Sequence, residues 1–169
     1  MLNIINNLQP FFEDCYRRIN VREYSRIVKI SPPTASKLLS EYDRLGLLKS
    51  EKDRNYIFFY ANKKSKDFID LSRIYWRNKL WGLVEDFDKQ LLNPSVILFG
   101  SLAKAEAKID SDIDLCVLSR KKDLNLNDFE KRLKRKIQIF FFNSIKEIDN
   151  LELRNNILNG YILNGRIKL

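Results

Sequence analysis

An apolar strand predicted from Val96 to Phe99 is followed by a turn at Gly100 and Ser101, and this turn restricts the folds that the chain can adopt. After ten further residues, a second apolar stretch begins with Asp112 and Asp114. Because side chains alternate along a strand, these two carboxylates are expected on one face. Carboxylates at that spacing suit one or two divalent metal ions, and a glycine lets the backbone come close to a phosphate. The pattern therefore predicts a metal-dependent site for a phosphate-bearing ligand.

The same residues resemble the signature of the DNA polymerase β nucleotidyltransferase superfamily, specifically its minimal nucleotidyltransferases. In that signature Gly-Ser, ten residues and Asp-x-Asp follow one another, as they do here. The resemblance covers roughly residues 66 to 169 and implies a mixed sheet in an α+β domain. It also implies that Asp112 and Asp114 are catalytic and hold Mg²⁺ or Mn²⁺. Gly100, Ser101 and Lys104 would then seat the phosphates of a nucleoside triphosphate.

The strand that would carry the superfamily's third carboxylate departs from this pattern. The strand is expected from Lys136 to Phe142, and Gln138 stands in the carboxylate's place. An amide can contact a metal or water, but it carries no charge and cannot accept a proton as a general base. Glu106, Asp110 and Glu147 are nearby acids that nothing in the sequence places in the site. Nucleotidyl transfer and nucleotide sensing by a degenerate site both stay open.

The first 65 residues carry a separate pattern of three helices and a hairpin. The first helix is predicted around Phe11 to Ile19, with Pro10 marking its start or a kink. The second and third are predicted over Val21 to Ile30 and Thr34 to Leu45. Two apolar strands around a charged turn follow from Leu47 to Tyr60. This order resembles the winged helix-turn-helix fold over roughly residues 10 to 62.

The third helix resembles a recognition helix. Ser31 and Pro32 form a start signal, and Gly46 ends the helix. In the winged fold this helix enters the major groove of duplex DNA while the wing contacts the backbone. The residues left facing outward are Thr34, Ser36, Lys37, Ser40, Glu41 and Arg44 in the helix, and Lys49, Lys52, Arg54 and Asn55 in the wing. Those predicted to contact DNA are Thr34, Ser36, Lys37, Ser40, Arg44, Lys52 and Arg54. The alternative is a solvated face on a winged helix that binds protein.

Residues 66–93 are predicted to form a connecting amphipathic helix that ends at Asn93-Pro94. Trp76 and Trp81 give it more apolar surface than one small core absorbs, so the helix is expected to be part connector and part packing against the second domain's sheet, with a possible homodimer seam. The alternative is an ordinary core helix. The domain from 94 to 169 follows. Within that domain, Asp149 is expected to cap a last helix, and the cations of Lys131–Lys136 form either a solvated face or a phosphate-binding patch.

Composition excludes several classes of site. The chain has no histidine, which rules out Cys-His and Ser-His nucleophiles and histidine-containing zinc sites. Its two cysteines, without a signal peptide, fit a reduced cytosol, so a cytoplasmic protein is expected. No apolar run approaches the ~20 residues of a membrane span. The net charge of +9 favours a polyanionic partner, and residues 1–65 hold 12 basic and 7 acidic residues.

These patterns together predict a DNA-binding, transcriptional regulator with a nucleotidyltransferase-like second domain. That domain would bind a nucleoside triphosphate and Mg²⁺, with transfer in doubt because of Gln138. The alternative is an antitoxin-like enzyme that nucleotidylates a partner protein. Resemblance to nucleotidyltransferases that are paired with HEPN-domain toxins implies a HEPN-type partner in that case.

Overall fold

The computed structural model describes residues 2–167, which divide into two compact units. The first unit contains the residues up to Tyr75 together with Ala105–Ile109. The second contains Trp76–Lys104 and the residues from Asp110 onward. Among the described residues, none of the helices has the length and apolar character needed to cross a membrane.

The first unit begins with a helix, α1 (Leu2–Glu13), that is longer on its N-terminal side than expected. Pro10 lies inside it, so the predicted start at Pro10 is wrong. Ile5, Leu8 and Phe11 are all buried and recur at helical spacing, so a continuous apolar stripe extends the helix well before the proline. Ile19, expected in the same helix, instead belongs to a short strand.

Helices α2 (Val21–Val28) and α3 (Pro32–Arg44) follow as predicted. The side chain of Ser31 caps α3 by accepting a hydrogen bond from the backbone N–H of Thr34, which confirms the start signal. At the other end Gly46 adopts φ +71°, and its N–H donates to the carbonyl of Asp43. A glycine is favoured there because the left-handed backbone region penalises a Cβ atom.

A three-stranded antiparallel sheet completes the first unit. Its strands are β1 (Ile19–Asn20), β2 (Leu48–Asp53) and β3 (Tyr56–Ala61), in the order β1-β3-β2. The hairpin between β2 and β3 is confirmed, and Arg54 adopts φ +53° at its turn. The expectation of two apolar strands is wrong for β2, where every residue after Leu48 is exposed. These residues are polar or charged and lie on an edge strand, where charged side chains discourage pairing with another chain.

Helix α4 (Lys66–Gln90) is the predicted amphipathic helix. It ends three residues before the expected Asn93, which adopts φ +46°. The two compact units divide within this helix, between Tyr75 and Trp76. Trp76 is buried, whereas Trp81 is 51% exposed. Of the two tryptophans, only Trp81 therefore keeps apolar surface toward solvent.

The second unit is built on a four-stranded sheet with strand order β6-β5-β4-β7. The strands are β4 (Ser95–Phe99), β5 (Ile113–Leu118), β6 (Ile137–Phe142) and β7 (Tyr161–Asn164). Strand β4 runs antiparallel to β5 and β7, while β5 and β6 are parallel. The sheet is therefore mixed and the chain is α+β, as predicted.

Three short helices and one 3-10 turn connect these strands. They are α5 (Gly100–Ala103), α6 (Asn127–Leu133), the 3-10 turn Ile145–Glu147 and α7 (Leu151–Leu158). One face of the sheet packs through Ile97, Phe99 and Cys116 against Ile145, Ile148 and Ile157. Burial raises the pKa of the Cys116 thiol to about 12, so this cysteine stays protonated at neutral pH.

The cap of α7 differs by one residue from the prediction. Asn150, not Asp149, is the N-cap, and its side-chain oxygen accepts a hydrogen bond from the N–H of Leu153 at 3.0 Å. We expect Asn150→Ala to lower the free energy of unfolding by about 1 kcal/mol, because that N–H loses its partner. The matched change Asp149→Ala should alter it by less than about 0.5 kcal/mol. Urea denaturation of both variants measures the difference, and equal losses would mean that Asn150 does not act as a cap.

Candidate functional site

The turn after β4 brings the backbone directly against a carboxylate. Gly100 adopts φ +72° and begins α5. A Cβ atom at this position would collide with Oδ2 of Asp114. Two constraints therefore require glycine here, the left-handed backbone and the contact with the Asp114 side chain.

Asp112 and Asp114 lie on the same face of the sheet, two residues apart. Asp114 is the second residue of β5 and pairs in register with Phe99 on one side and Gln138 on the other. Asp112 lies just before the strand, so the expectation that both residues belong to β5 is wrong by one position. Strand β5 begins only where the N–H of Ile113 bonds to the carbonyl of Lys136. Both carboxylates are half-buried.

The two carboxylates repel each other electrostatically. The pKa of Asp114 is raised, first because burial disfavours its charged form and second because Asp112 carries a like charge. Both effects make the ionised pair less stable than an isolated exposed carboxylate. A divalent cation between the two groups would relieve this repulsion, and oxygen donors are the ligands that Mg²⁺ prefers. The chemistry of these donors thus fits Mg²⁺ or Mn²⁺.

Gln138 lies beside this pair, at the strand position where the resemblance to minimal nucleotidyltransferases implies a carboxylate. Its amide Nε2 donates a hydrogen bond to Oδ2 of Asp112 at 2.6 Å. Within residues 2–167 there is no group of three or more cysteine, aspartate or glutamate side chains that could hold a metal. Of the acids considered as replacements, Glu147 accepts hydrogen bonds from the backbone and side chain of Asn143. The local donors are therefore two carboxylates and an amide.

Arg135 supports the loop before β5, and the sequence pattern did not single it out from its neighbours. It is 6% exposed, and its guanidinium donates to the carbonyl of Ser111 at 2.6 Å and stacks over the Trp76 ring. The other cations of the cluster, at 131, 132, 134 and 136, are exposed. Of the five cations expected on a solvated face, Arg135 is thus the buried one. No sequence signal separated it, because its partners are remote in the chain.

The residues expected around the phosphates lie on α5 and just after it. Ser101 is half-buried in α5. Lys104 follows the helix, is exposed, and donates from Nζ to Oδ1 of Asn156 at 2.9 Å. A phosphate at α5 would compete with Asn156 for this ammonium group.

The second predicted surface belongs to the first unit. The residues expected to contact DNA are all exposed: Thr34, Ser36, Lys37, Ser40, Arg44, Lys52 and Arg54. The hydroxyl of Thr34 is already hydrogen-bonded to that of Ser31 at 2.8 Å. Lys49 lies three pairs further from the hairpin turn than Lys52, and on the other face of β2. Ser50 bonds to Asp43 of α3, so the α3 side of β2 carries Ser50 and Lys52 but not Lys49.

Comparison with known proteins places the site within a known family model. The model described as nucleotidyltransferase domain matches residues 78–164, about half of the chain. No curated protein matches the chain. Among solved structures, human N-acetylserotonin methyltransferase in complex with SAM is similar over 53% of this chain, with 15% identity and a TM-score of 0.32. The aligned part is 31% of that structure's chain, and a likeness of this size carries no argument about fold or function.

Replacing Gly100 tests whether the turn depends on the contact with Asp114. We expect Gly100→Ala to destabilise the protein and to weaken Mn²⁺ binding, because the added Cβ displaces the carboxylate. Gly46→Ala is the matched control, since Gly46 has φ +71° but nothing within 4 Å of a built Cβ. It should lose only about 1 kcal/mol of backbone strain energy and leave Mn²⁺ binding unchanged. Denaturation and Mn²⁺ titration measure both effects, and equal behaviour of the two variants would contradict the contact.

Proposed function

Because the chain belongs to the nucleotidyltransferase domain family, we propose that its second unit binds a nucleoside triphosphate together with Mg²⁺ or Mn²⁺. The observation that carries this proposal is the contact between the Gly100 turn and Asp114. It puts a glycine turn at the start of α5 next to a carboxylate pair, so the proposed phosphate and metal sites would be adjacent. Such adjacency is what a metal-bound triphosphate requires.

Each residue of the site would have a distinct part in binding. Asp112 and Asp114 would hold the metal, which when bound neutralises charge on the phosphate oxygens. Gly100 lets the backbone N–H groups of α5 approach the phosphates, and Ser101 adds a hydroxyl donor. Lys104, once it leaves Asn156, supplies a positive charge. Arg135 acts indirectly, by holding the Ser111 carbonyl beside Asp112.

We propose further that nucleotidyl transfer is slow or absent. Nucleotidyl transfer needs a group that accepts the proton of the attacking hydroxyl and stabilises charge on the reacting oxygens. Gln138 does neither, and its amide hydrogen bond to Asp112 holds it where a carboxylate would otherwise be. Loss of one such group lowers rates by about 10²-fold or more. The domain would then act as a nucleotide sensor, because it would bind nucleotide and turn it over slowly or not at all.

The first unit is proposed to be a winged helix-turn-helix that binds duplex DNA. The support is the order α2, α3 and β-hairpin, with exposed donors and cations along α3 and at the hairpin turn. In this arrangement Lys37, Arg44 and Arg54 would contact phosphates, while Ser36 and Ser40 would face base edges. The whole chain would then be a transcriptional regulator in which one domain contacts DNA and the other binds nucleotide.

The nucleotide proposal is tested by separating binding from transfer. Each labelled nucleoside triphosphate is incubated with the full chain and Mg²⁺ or Mn²⁺, and bound and covalently attached label are measured separately. We expect metal-dependent binding that is lost when Asp112 and Asp114 are both changed to Asn. Attached label should be slow or absent in the native protein and should rise in Gln138→Asp, since that change restores a carboxylate; Gln138→Asn is the matched uncharged control.

Two results would contradict this account. Absence of metal-dependent nucleotide binding would remove the proposed ligand. Rapid labelling of the chain itself or of a HEPN-type partner by the native protein, unaffected by Gln138→Ala, would instead make the protein an active nucleotidyltransferase.

DNA binding is tested on the full chain with duplex DNA over a range of salt. We expect log affinity to fall by about 0.9 per log salt for each phosphate neutralised. Changing both Lys37 and Arg44 to Ala should weaken binding and lower this slope, because two phosphate contacts are lost. Lys49→Ala removes a cation from the other face of β2 and should have little effect. If duplex binding is absent at low salt, or if Lys49→Ala weakens it as much as the double change, the recognition-helix interface is wrong.

A further inference from the structure

Strand β6 is an edge of the four-stranded sheet, and its outer side is not protected as other edges of this chain are. Edge strands are commonly blunted by charges, bulges or short length, because free backbone groups pair with other chains. The opposite edge, β7, has four residues and an irregular register beside Val96 and Ile97. In the first unit, edge strand β2 carries alternating charges. Strand β6 reads Ile-Gln-Ile-Phe-Phe-Phe, with no charge, proline or glycine.

The hydrogen bonds identify which backbone groups of β6 remain open. The N–H of Ile113 bonds to the carbonyl of Lys136, and the N–H of Ser119 bonds to that of Phe142, so even-numbered β6 residues face β5. The odd-numbered residues from 137 to 143 therefore point their N–H and C=O groups outward.

Two carboxylates cap the ends of this outer edge. The N–H of Ile137 donates to Glu130 at 2.8 Å, and the N–H of Asn143 donates to Glu147 at 2.8 Å. Between them, the outward N–H groups of Ile139 and Phe141 have no hydrogen-bond partner within residues 2–167. The edge thus presents two adjacent outward-facing residues with unpaired backbone groups.

We propose that this edge pairs with the same edge of a second copy of the chain, as antiparallel β6 strands around a two-fold axis at Phe140. In this register Ile139 of one copy lies opposite Phe141 of the other. The N–H and C=O groups of each residue then bond to the C=O and N–H groups of the residue opposite. All four open N–H groups of the dimer find a carbonyl, and the hydrogen-bonded pairing is confined to residues 139–141, between the two capped ends. A two-fold interface must be self-complementary in this way.

Charge and side chains fit the same arrangement. Lys134 and Lys136 are exposed at the start of β6, against one acid, Glu130, whereas Glu147 and Asp149 are exposed after its end, against one cation, Lys146. Antiparallel pairing sets the basic start of each strand beside the acidic end of the other. At the axis the two Phe140 side chains would be direct cross-strand neighbours, an arrangement that favours aromatic residues.

The pairing would also bring the second copy next to the nucleotide site. Gln138, Phe140 and Phe142 share one face of β6, the face on which Asp114 lies. With the axis at Phe140, Phe142 of the second copy lies opposite Gln138. The dimer would therefore cover the Gln138 side of the carboxylate pair with an aromatic ring.

The backbone contacts are tested by sedimentation equilibrium of the full chain from low to high micromolar concentration. We expect the native protein to reach twice the mass of one chain. Ile139→Pro should shift it to the monomer, because the lost N–H faces outward and is not used in the fold. Ile139→Val, which keeps that N–H, is the matched control and should remain dimeric. A native monomer throughout, or a dimer that Ile139→Pro leaves intact while folded, would overturn the proposal.

The register is tested by disulfide formation, which stays informative even if Ile139→Pro does not fold. Residues paired directly across antiparallel strands without hydrogen bonds have Cα atoms about 4.5 Å apart, within disulfide range. Phe140→Cys should therefore give a covalent dimer under mild oxidation. Phe142→Cys should not, since its counterpart lies opposite residue 138, and native Cys15 and Cys116 are buried. Failure of Phe140→Cys to cross-link, or equal cross-linking by Phe142→Cys, would exclude this pairing.

Discussion

The second unit depends on the contact between the Gly100 turn and the Asp114 carboxylate. Strand β4 must reverse into α5 at the point where it pairs with β5, and the register leaves Asp114 directly opposite Phe99. Only a residue without a side chain fits there in a left-handed conformation. The sheet register, the start of α5 and the orientation of the carboxylates are thereby fixed together. This coupling explains why the glycine turn and the carboxylate pair lie next to each other in the sheet.

The ionised form of the Asp112–Asp114 pair is electrostatically unfavourable. Burial, and then the like charge of Asp112, raise the pKa of Asp114, so ionising both carboxylates is less favourable here than for two separate exposed groups. A third carboxylate at position 138 would add a further like charge. Gln138 instead donates a hydrogen bond to Asp112 and reduces that repulsion. An amide at this position cannot accept a proton, so in the proposed site the group that lowers the repulsion would also slow transfer.

Local patterns predicted much of this molecule. The Gly-Ser turn, the spacing of the two aspartates and the expected strand around Gln138 identified the residues that the structure brings together, because each depends on neighbours in sequence. The cap of α3 at Ser31 was predictable for the same reason. Features set by contacts between residues remote in sequence were not predictable. Arg135 is buried where it contacts Trp76 and Ser111. Helix α1 begins well before Pro10 because the apolar residues in its first turns are buried. The open edge of β6 required knowledge of strand order, which periodicity does not contain.

The proposed function requires that Asp112 and Asp114, with Gln138 beside them, bind metal and nucleotide without a third carboxylate. The most direct measurement is the number of Mn²⁺ ions bound per chain, counted by electron paramagnetic resonance in the presence of a non-hydrolysable nucleoside triphosphate analogue. The account predicts metal binding by the native protein, loss of it when both aspartates become Asn, and more Mn²⁺ per chain in Gln138→Asp than in the native protein. Equal Mn²⁺ content in the native protein and Gln138→Asp would contradict it, because another group would then already complete the site.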